Sequence, residues 1–150
     1  IDGWLDEIYP AVTHEYYHAV NYPDDGAAPT LLDVLVAEGS ADSFTARIYP
    51  DFVPQWTTAL SRSEQATVWP LMKAELHSTD PATVDRLLFG DGDTVPRQAG
   101  YTIGFEIVQS WLKRHPGLPP SEWARFSPQA ILDGSGYDPS RSATGGDQTL

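Results

Sequence analysis

The sequence contains no cysteine, and only nine of its 150 residues are lysine or arginine. The absence of cysteine excludes disulfide frameworks, cysteine nucleophiles, thiolate zinc sites and iron–sulfur clusters. The few basic residues stand against 21 acidic ones and form no basic stripe, so nucleic acids and anionic membranes are poor partners. No run of about 18 apolar residues occurs, so we expect no membrane span in this chain.

The acidic residues are concentrated in the first third of the chain. Residues 1–51 hold ten acids and one base, Arg47, a net charge of −9 out of −12 for the whole. A dense acidic segment is usually a solvated surface. The alternative is that some of these carboxylates bind a cation.

The chain begins with Ile1 rather than methionine, and the pattern of a signal peptide does not follow. We interpret the chain as processed, truncated or only partly covered, so that a preceding signal would not be visible. The compartment therefore stays open, with the cytoplasm favoured, and the oligomeric state stays open as well.

The pattern of apolar residues predicts a mainly α fold, since the period-two alternation typical of strands is weak. The clearest helix spans residues 98–114, where Ile103, Ile107 and Trp111 recur every four residues. Further helices are predicted over residues 9–20 with Pro10 at the first helical position, 30–48 with Thr30 and Asp33 at the start, 61–76 with an interruption at Pro70, 78–90 and 127–134. Residues 1–137 are expected to form one domain and residues 138–150 a flexible tail, with any β-sheet small or upstream of residue 1.

A zinc-ligand pattern, H-E-x-x-H, lies on the first predicted helix, from His14 through Glu15 to His18. Residues four apart lie on one helical face, so His14 and His18 can converge on one zinc ion. Glu15 is rotated about 100° from His14, where it can reach a water on the metal. The alternative is a pair of ordinary helix histidines.

Glu38 is the predicted third ligand, because it lies in the most apolar stretch of the second helix, where an unpaired carboxylate is costly. The small residues Gly39, Ser40 and Ala41 are expected to let this helix pack closely on the histidine-bearing one. Asp42 follows one turn after Glu38 and is expected to hold a histidine ligand, His14 in particular, by accepting its second ring N–H. The sequence thus predicts a zinc site between two helices.

These motifs resemble those of the gluzincin metallopeptidases, the thermolysin-like clan, in which H-E-x-x-H precedes a glutamate. The segments around residues 13–18, 32–44, 100–105 and 126–132 are similar to a bacterial domain family of unknown function described as predicted zinc-dependent proteases. The resemblance covers residues 5–137 and implies a zincin-type helical core. It also implies a β-sheet ahead of the metal helix that holds an extended peptide; thirteen residues precede His14, so the sheet lies upstream or is lacking in this member.

The resemblance further implies a histidine or tyrosine on a later helix that donates to the developing oxyanion. Tyr101, at the start of the helix predicted over 98–114, is the favoured donor. His77 and His115 are the alternatives, although His115 would also complement the end of its helix.

The resulting hypothesis is a zinc metalloprotease that acts on peptides or proteins, with His14, His18 and Glu38 as ligands and Glu15 as general base. The alternatives are a non-catalytic zinc-binding regulatory or interaction domain and a helical domain without metal. A structural zinc site has no need of a free glutamate between its ligands, so Glu15 distinguishes the first two.

Overall fold

The computed structural model describes residues 3–22 and 26–141, with side chains from Ile8 onward. Within these residues the fold is all helical, with no strand. The helices are α1 (Gly3–Asn21), α2 (Leu31–Ile48), α3 (Arg62–Ala74), α4 (Pro81–Phe89), α5 (Ala99–Arg114), α6 (Pro120–Trp123) and α7 (Pro128–Ser135), and one 3₁₀-helix, η1, spans Gln55–Thr58. The mainly α fold predicted from the sequence is confirmed.

The centre of the fold is the pair α2 and α5, on which the other elements are arranged. α1 packs on α2, α4 and α7 pack on both α2 and α5, and η1 packs on α5. Leu35 of α2 and Ile103, Ile107 and Trp111 of α5 are almost completely buried. Burial of such side chains supplies about 1.5–3 kcal/mol each, so this pair contributes a large share of the hydrophobic stabilisation.

Two glycines bring the backbones of α2 and α5 into direct contact. A Cβ atom added at Gly39 would overlap the carbonyl oxygen of Gly104, and one added at Gly104 would overlap that of Leu35. The prediction that Gly39 allows close packing on the histidine-bearing helix is therefore wrong, because this glycine faces α5. Residues adjacent on a helix point in directions about 100° apart, so Glu38 points elsewhere.

Polar residues cap the starts of several helices at the positions that the sequence indicates. Thr30 and Asp33 form a capping box at the start of α2, and Asp80 caps α4 ahead of Pro81. Each cap satisfies backbone N–H groups that have no partner within the helix. The predicted boundaries of α2 and α5 agree with the structure to within one residue, whereas α4 begins three residues later than predicted, at Pro81.

The two predictions based on prolines inside helices are wrong. Pro10 lies within α1 rather than at its start, and α3 continues through Pro70. A proline in a helix interior removes one backbone hydrogen bond, and surrounding residues can maintain the helix around it. Here Pro10 is itself buried in the wall of a cleft.

The elements that the sequence did not predict are the two shortest, η1 and α6. The predicted tail is described as far as Arg141; its first residue, Asp138, accepts a hydrogen bond on its carbonyl oxygen from Arg62 at 2.8 Å. Residues 142–150 lie outside the described residues. None of the described helices is both long and apolar enough to cross a membrane.

Candidate metal centre

Three predicted ligands from two helices meet at one point between α1 and α2. His14 Nε2 lies 3.0 Å from His18 Nε2 and 3.2 Å from Glu38 Oε2, and His18 Nε2 lies 3.5 Å from Glu38 Oε1. Among the His, Asp and Glu side chains of the described residues, these three form a group that could hold a metal ion. All three are half-buried, so the point at which they meet is shielded but reachable from solvent.

The helical spacing explains why the two histidines meet. His14 and His18 are one turn apart on the face of α1 that packs on α2, and their rings contact edge to face at 4.8 Å. Tyr17, which directly precedes His18, is buried against Phe44 of α2 at a distance of 5.2 Å between ring centroids. The Tyr17 contact thus holds α1 in the rotation that directs both imidazoles at Glu38.

Asp42 stands behind the cluster and is 99% buried. Its Oδ1 accepts a hydrogen bond from Nδ1 of His14 at 2.9 Å, the contact expected from the sequence. A neutral histidine that donates from Nδ1, the form that binds a metal, presents the lone pair of Nε2 on its opposite side, which is the side facing His18 and Glu38. Asp42 therefore fixes both the tautomer and the orientation of His14.

The carboxylates of the cluster favour positive charge on His14. Burial lowers the pKa of His14, but hydrogen bonds with Asp42 and Glu38 and their negative charges outweigh burial and raise the pKa to about 9. Burial raises the pKa of Glu38, but hydrogen bonds and charges from His14 and His18 lower it to about 2. A divalent cation bound by the same atoms would replace a proton in this charge balance.

A cleft of about 800 Å³ opens beside His14. Glu15 lines the cleft, is exposed and lies outside the group of converging ligand atoms. The remaining walls come from the middle of α1, from α2, from the segment around η1, from the end of α4 and from the start of α5. They are Pro10, Ala11, Asp42, Thr45, Phe52, Val53, Pro54, Gln55, Trp56, Phe89, Gln98 and Tyr101. The lining includes no lysine or arginine.

Tyr101 lies in the wall of this cleft, where its ring contacts Phe89 at 5.9 Å and Trp56 at 6.5 Å. Burial raises the pKa of Tyr101 to about 12, helped by the negative charges of Glu38, Asp42 and Glu15. The phenol therefore keeps its proton at neutral pH and can donate a hydrogen bond. Of the three carboxylates, Glu38 belongs to the cluster and Asp42 contacts it.

The structure does not bring the two alternative donors to the cleft. His77 is exposed between α3 and α4. His115 ends α5 and donates from Nδ1 to the carbonyl oxygen of Trp111 at 2.8 Å. It follows Tyr101 by fourteen residues, or about 21 Å along the helix.

Trp56 and Gln98 also line the cleft, although the sequence did not single them out. Trp56 donates from its indole N–H to both oxygens of Asp42, at 3.2 and 3.0 Å. Gln98 precedes α5 with φ at 60°, a left-handed conformation that is strained for a side chain of this kind. No motif marks either residue, because both are placed by the tertiary contacts of short connecting segments.

Comparison with known proteins gives a family match over most of the chain. Residues 3–133 match the model of a family described as "Predicted Zn-dependent protease (DUF2268)". Two uncharacterized proteins of Bacillus subtilis strain 168 are similar. YjfC is 26% identical over 88% of this chain and 48% of its own length; YjaZ is 29% identical over 67% and 41%. The chain spans less than half the length of these relatives, and no solved structure matches it.

Proposed function

The chain belongs to the family described as predicted zinc-dependent proteases, and from this membership and the cluster on α1 and α2 we propose that it hydrolyses peptide bonds with a bound zinc ion. The ligands in this proposal are His14, His18 and Glu38. Glu15 is the general base and Tyr101 the oxyanion donor.

The observation that carries the proposal is the convergence of possible ligand atoms from His14, His18 and Glu38. Ligands about 2.0–2.1 Å from a tetrahedral zinc ion lie about 3.3–3.4 Å from one another. At the cluster the two imidazole Nε2 atoms lie 3.0 Å apart, and each lies near a different oxygen of Glu38, at 3.2 Å for Oε2 and 3.5 Å for Oε1, so these contacts are close to this value. One ligand atom from each of the three residues lies within 4.8 Å of the other two. Two neutral imidazole nitrogens and one carboxylate oxygen are also a donor set that zinc prefers, so the residues present fit the ion.

His14, His18 and Glu38 would hold the zinc ion. When bound there, the ion would supply polarisation of a substrate carbonyl and a lowered pKa for a water molecule. Glu15 lies on the cleft side of the ligands, where it can accept a proton from the attacking water. The water oxygen then bonds to the carbonyl carbon, the C–N bond breaks, and the Glu15 carboxyl gives the proton to the leaving amine.

Tyr101 is suited to stabilise the charge that develops on the carbonyl oxygen. Its phenol stays protonated at neutral pH, and α5 holds it in the wall of the cleft that Glu15 also lines. A positioned donor of this kind acts most strongly when the negative charge forms in a site with little water. The peptide substrate would occupy the cleft.

The first experiment tests the metal. We expect about one zinc ion per chain by elemental analysis of the purified protein, and loss of that zinc in His14→Ala, His18→Ala and Glu38→Ala. His77→Ala is the matched control, because His77 is exposed and away from the cleft. A zinc content in His18→Ala equal to that of the wild type would contradict the ligand set.

The second experiment separates an enzyme from a metal-binding module through Glu15→Gln, which keeps the size of the side chain and removes the base. We expect zinc content to stay unchanged and cleavage of an unstructured protein to fall by about 10²–10⁴. Glu75→Gln is the control, since Glu75 is an exposed glutamate on α3's carboxyl end. Cleavage by Glu15→Gln at the wild-type rate would contradict the mechanism.

The assay belongs in the longest form of the protein that can be purified, because the curated relatives are more than twice as long as the matched region. Tyr101→Phe is the remaining arm: we expect unchanged zinc content and a kcat lowered by about 10²–10³, the contribution of one oxyanion donor. A wild type that binds zinc and cleaves no peptide in a broad library would instead favour the regulatory domain.

A further inference from the structure

We infer that Trp56 is a positioning residue for the metal centre, acting on His14 through Asp42. This inference rests on the proposed function, because it concerns zinc binding by the same histidine. Nothing in the H-E-x-x-H pattern or in the family match assigns a role to the segment that carries Trp56.

The first step of the argument is the satisfaction of Asp42. This carboxylate is almost completely buried, so each of its oxygens needs a hydrogen-bond donor. Nδ1 of His14 donates to Oδ1 at 2.9 Å, and the indole N–H of Trp56 is shared between Oδ1 at 3.2 Å and Oδ2 at 3.0 Å. With the indole in place, the carboxylate cannot rotate freely, and Oδ1 stays directed at His14.

The second step is the fixing of Trp56 itself. Its backbone carbonyl accepts a hydrogen bond from the hydroxyl of Thr102 at 2.7 Å, and Thr102 is buried in α5. Within the same segment, the Thr57 hydroxyl donates to the carbonyl of Pro54 at 2.7 Å and shapes the turn of η1. The backbone that carries the indole is thus held by α5, a helix that carries none of the three proposed ligands.

The third step joins these contacts into one path. It runs from Thr102 on α5 through Trp56 on η1 to Asp42 on α2, and from there to His14 on α1. Partners behind a metal ligand set its orientation and basicity, and their loss costs about 10- to 100-fold in metal affinity or activity. The indole stands one step further back than Asp42, so the lower end of this range applies.

Trp56→Phe tests the inference, since phenylalanine keeps an aromatic ring in the cleft wall and removes the N–H donor. The readout is the Kd for zinc alone, measured by competition with a chelator. We expect affinity to fall about tenfold. Trp123→Phe is the matched control: its buried indole also donates at 3.2 Å, but to the carbonyl of Leu118, and we expect a change below about twofold.

A double-mutant cycle distinguishes action through Asp42 from a general loss of structure. If the indole acts through the carboxylate, Trp56→Phe added to Asp42→Asn has little further effect on the zinc Kd. The inference would be overturned if Trp56→Phe lowered zinc affinity as much in the Asp42→Asn background as in the wild type. It would also be overturned if Trp123→Phe lowered zinc affinity as much as Trp56→Phe does. If Trp56→Phe fails to fold, Thr102→Val is the second variant, because it keeps the indole and removes the hydrogen bond that holds η1. We expect it to weaken zinc binding several-fold. An unchanged Kd for zinc in Thr102→Val would also overturn the inference.

A spectroscopic readout needs no metal. Among the five tryptophan indole N–H resonances in a ¹H–¹⁵N spectrum, that of Trp56 is identified by its loss in Trp56→Phe. We expect Asp42→Asn to shift this resonance more than the other four, and unchanged positions would contradict the hydrogen bond. Failure of the wild type to bind zinc would refute the proposed function. Equal zinc Kd values for the wild type and Trp56→Phe would instead refute the inference about Trp56.

Discussion

Helices α1 and α5 both contribute to the candidate site, but they are held in the fold in different ways. α5 is surrounded by α2, α4, α7 and η1, and its inner residues Ile103, Ile107 and Val108 have no exposed surface. α1 packs on α2, and Val12, Tyr16 and Val20 on its other side are each 57–60% exposed. The comparison teaches that packing in the core positions Tyr101 on α5, whereas polar contacts do much to position the histidines on α1.

The polar side-chain contacts that join α1 to α2 are those of the candidate metal centre. His14 and His18 bind Glu38, and His14 also binds Asp42, so the link between α1 and α2 is concentrated in the residues proposed to hold zinc. Tyr17 adds the main apolar contact. We therefore expect changes in α5 to affect the whole domain and changes at the metal to affect α1 first.

The largest effect on stability is expected from Gly104→Ala, which would break the contact between α5 and α2. The new Cβ would overlap the backbone of Leu35, which cannot rotate away as a flexible side chain can. We expect a loss of about 3 kcal/mol in the free energy of unfolding, at the upper end for overpacking, measured by urea denaturation. Ser110→Ala, on the same helix, is the control with a loss below about 0.5 kcal/mol; similar losses in both variants would contradict the close backbone contact.

Removal of zinc by a chelator is expected to have the next largest effect and to divide the two helices. At a free zinc concentration of about 100 times the Kd, binding stabilises the folded state by about 2.7 kcal/mol. We expect chelation to lower the Tm and to speed hydrogen exchange in residues 8–21 more than in residues 103–111. His18→Ala should show neither change on chelation. Equal acceleration in both segments would mean that α1 and α5 open together.

The smallest effect is expected on the outer face of α1. Valine and threonine have similar size and helix propensity, so Val→Thr mainly tests burial. We expect Val108→Thr, in α5, to lose about 1–3 kcal/mol because it buries a hydroxyl. Val12→Thr, at 60% exposure, should change stability by less than about 0.5 kcal/mol. Comparable losses in thermal unfolding would show that this face of α1 is covered in solution.

The sequence was most informative where a local pattern has one physical meaning. The four-residue spacing of His14 and His18 requires a shared helical face, and the contact of Asp42 with His14 follows from its position one turn after Glu38. The capping box of Thr30 and Asp33 likewise depends on residues three apart. Such features could be predicted because the residues involved are neighbours on one helix or on two adjacent helices.

The features that could not be predicted depend on contacts between distant segments. Trp56 reaches Asp42 because η1 is bound to α5, and nothing within η1 indicates that contact. Gly39 was assigned to the wrong neighbour, since a small residue indicates close packing without identifying the partner. Pro10 was placed wrongly for a different reason: proline favours the first position of a helix, but this local preference did not determine where α1 begins.

The direct contact of Gly39 with Gly104 has a consequence for how the site responds to change elsewhere in the protein. Glu38 directly precedes Gly39, and Tyr101 lies about one turn before Gly104. Because the helices are closest at Gly39 and Gly104, a change in the crossing angle of α2 and α5 displaces residues near this contact least and the far ends of the helices most. Amino-acid replacements at those ends can therefore accumulate during evolution while the separation between Glu38 and Tyr101 is preserved.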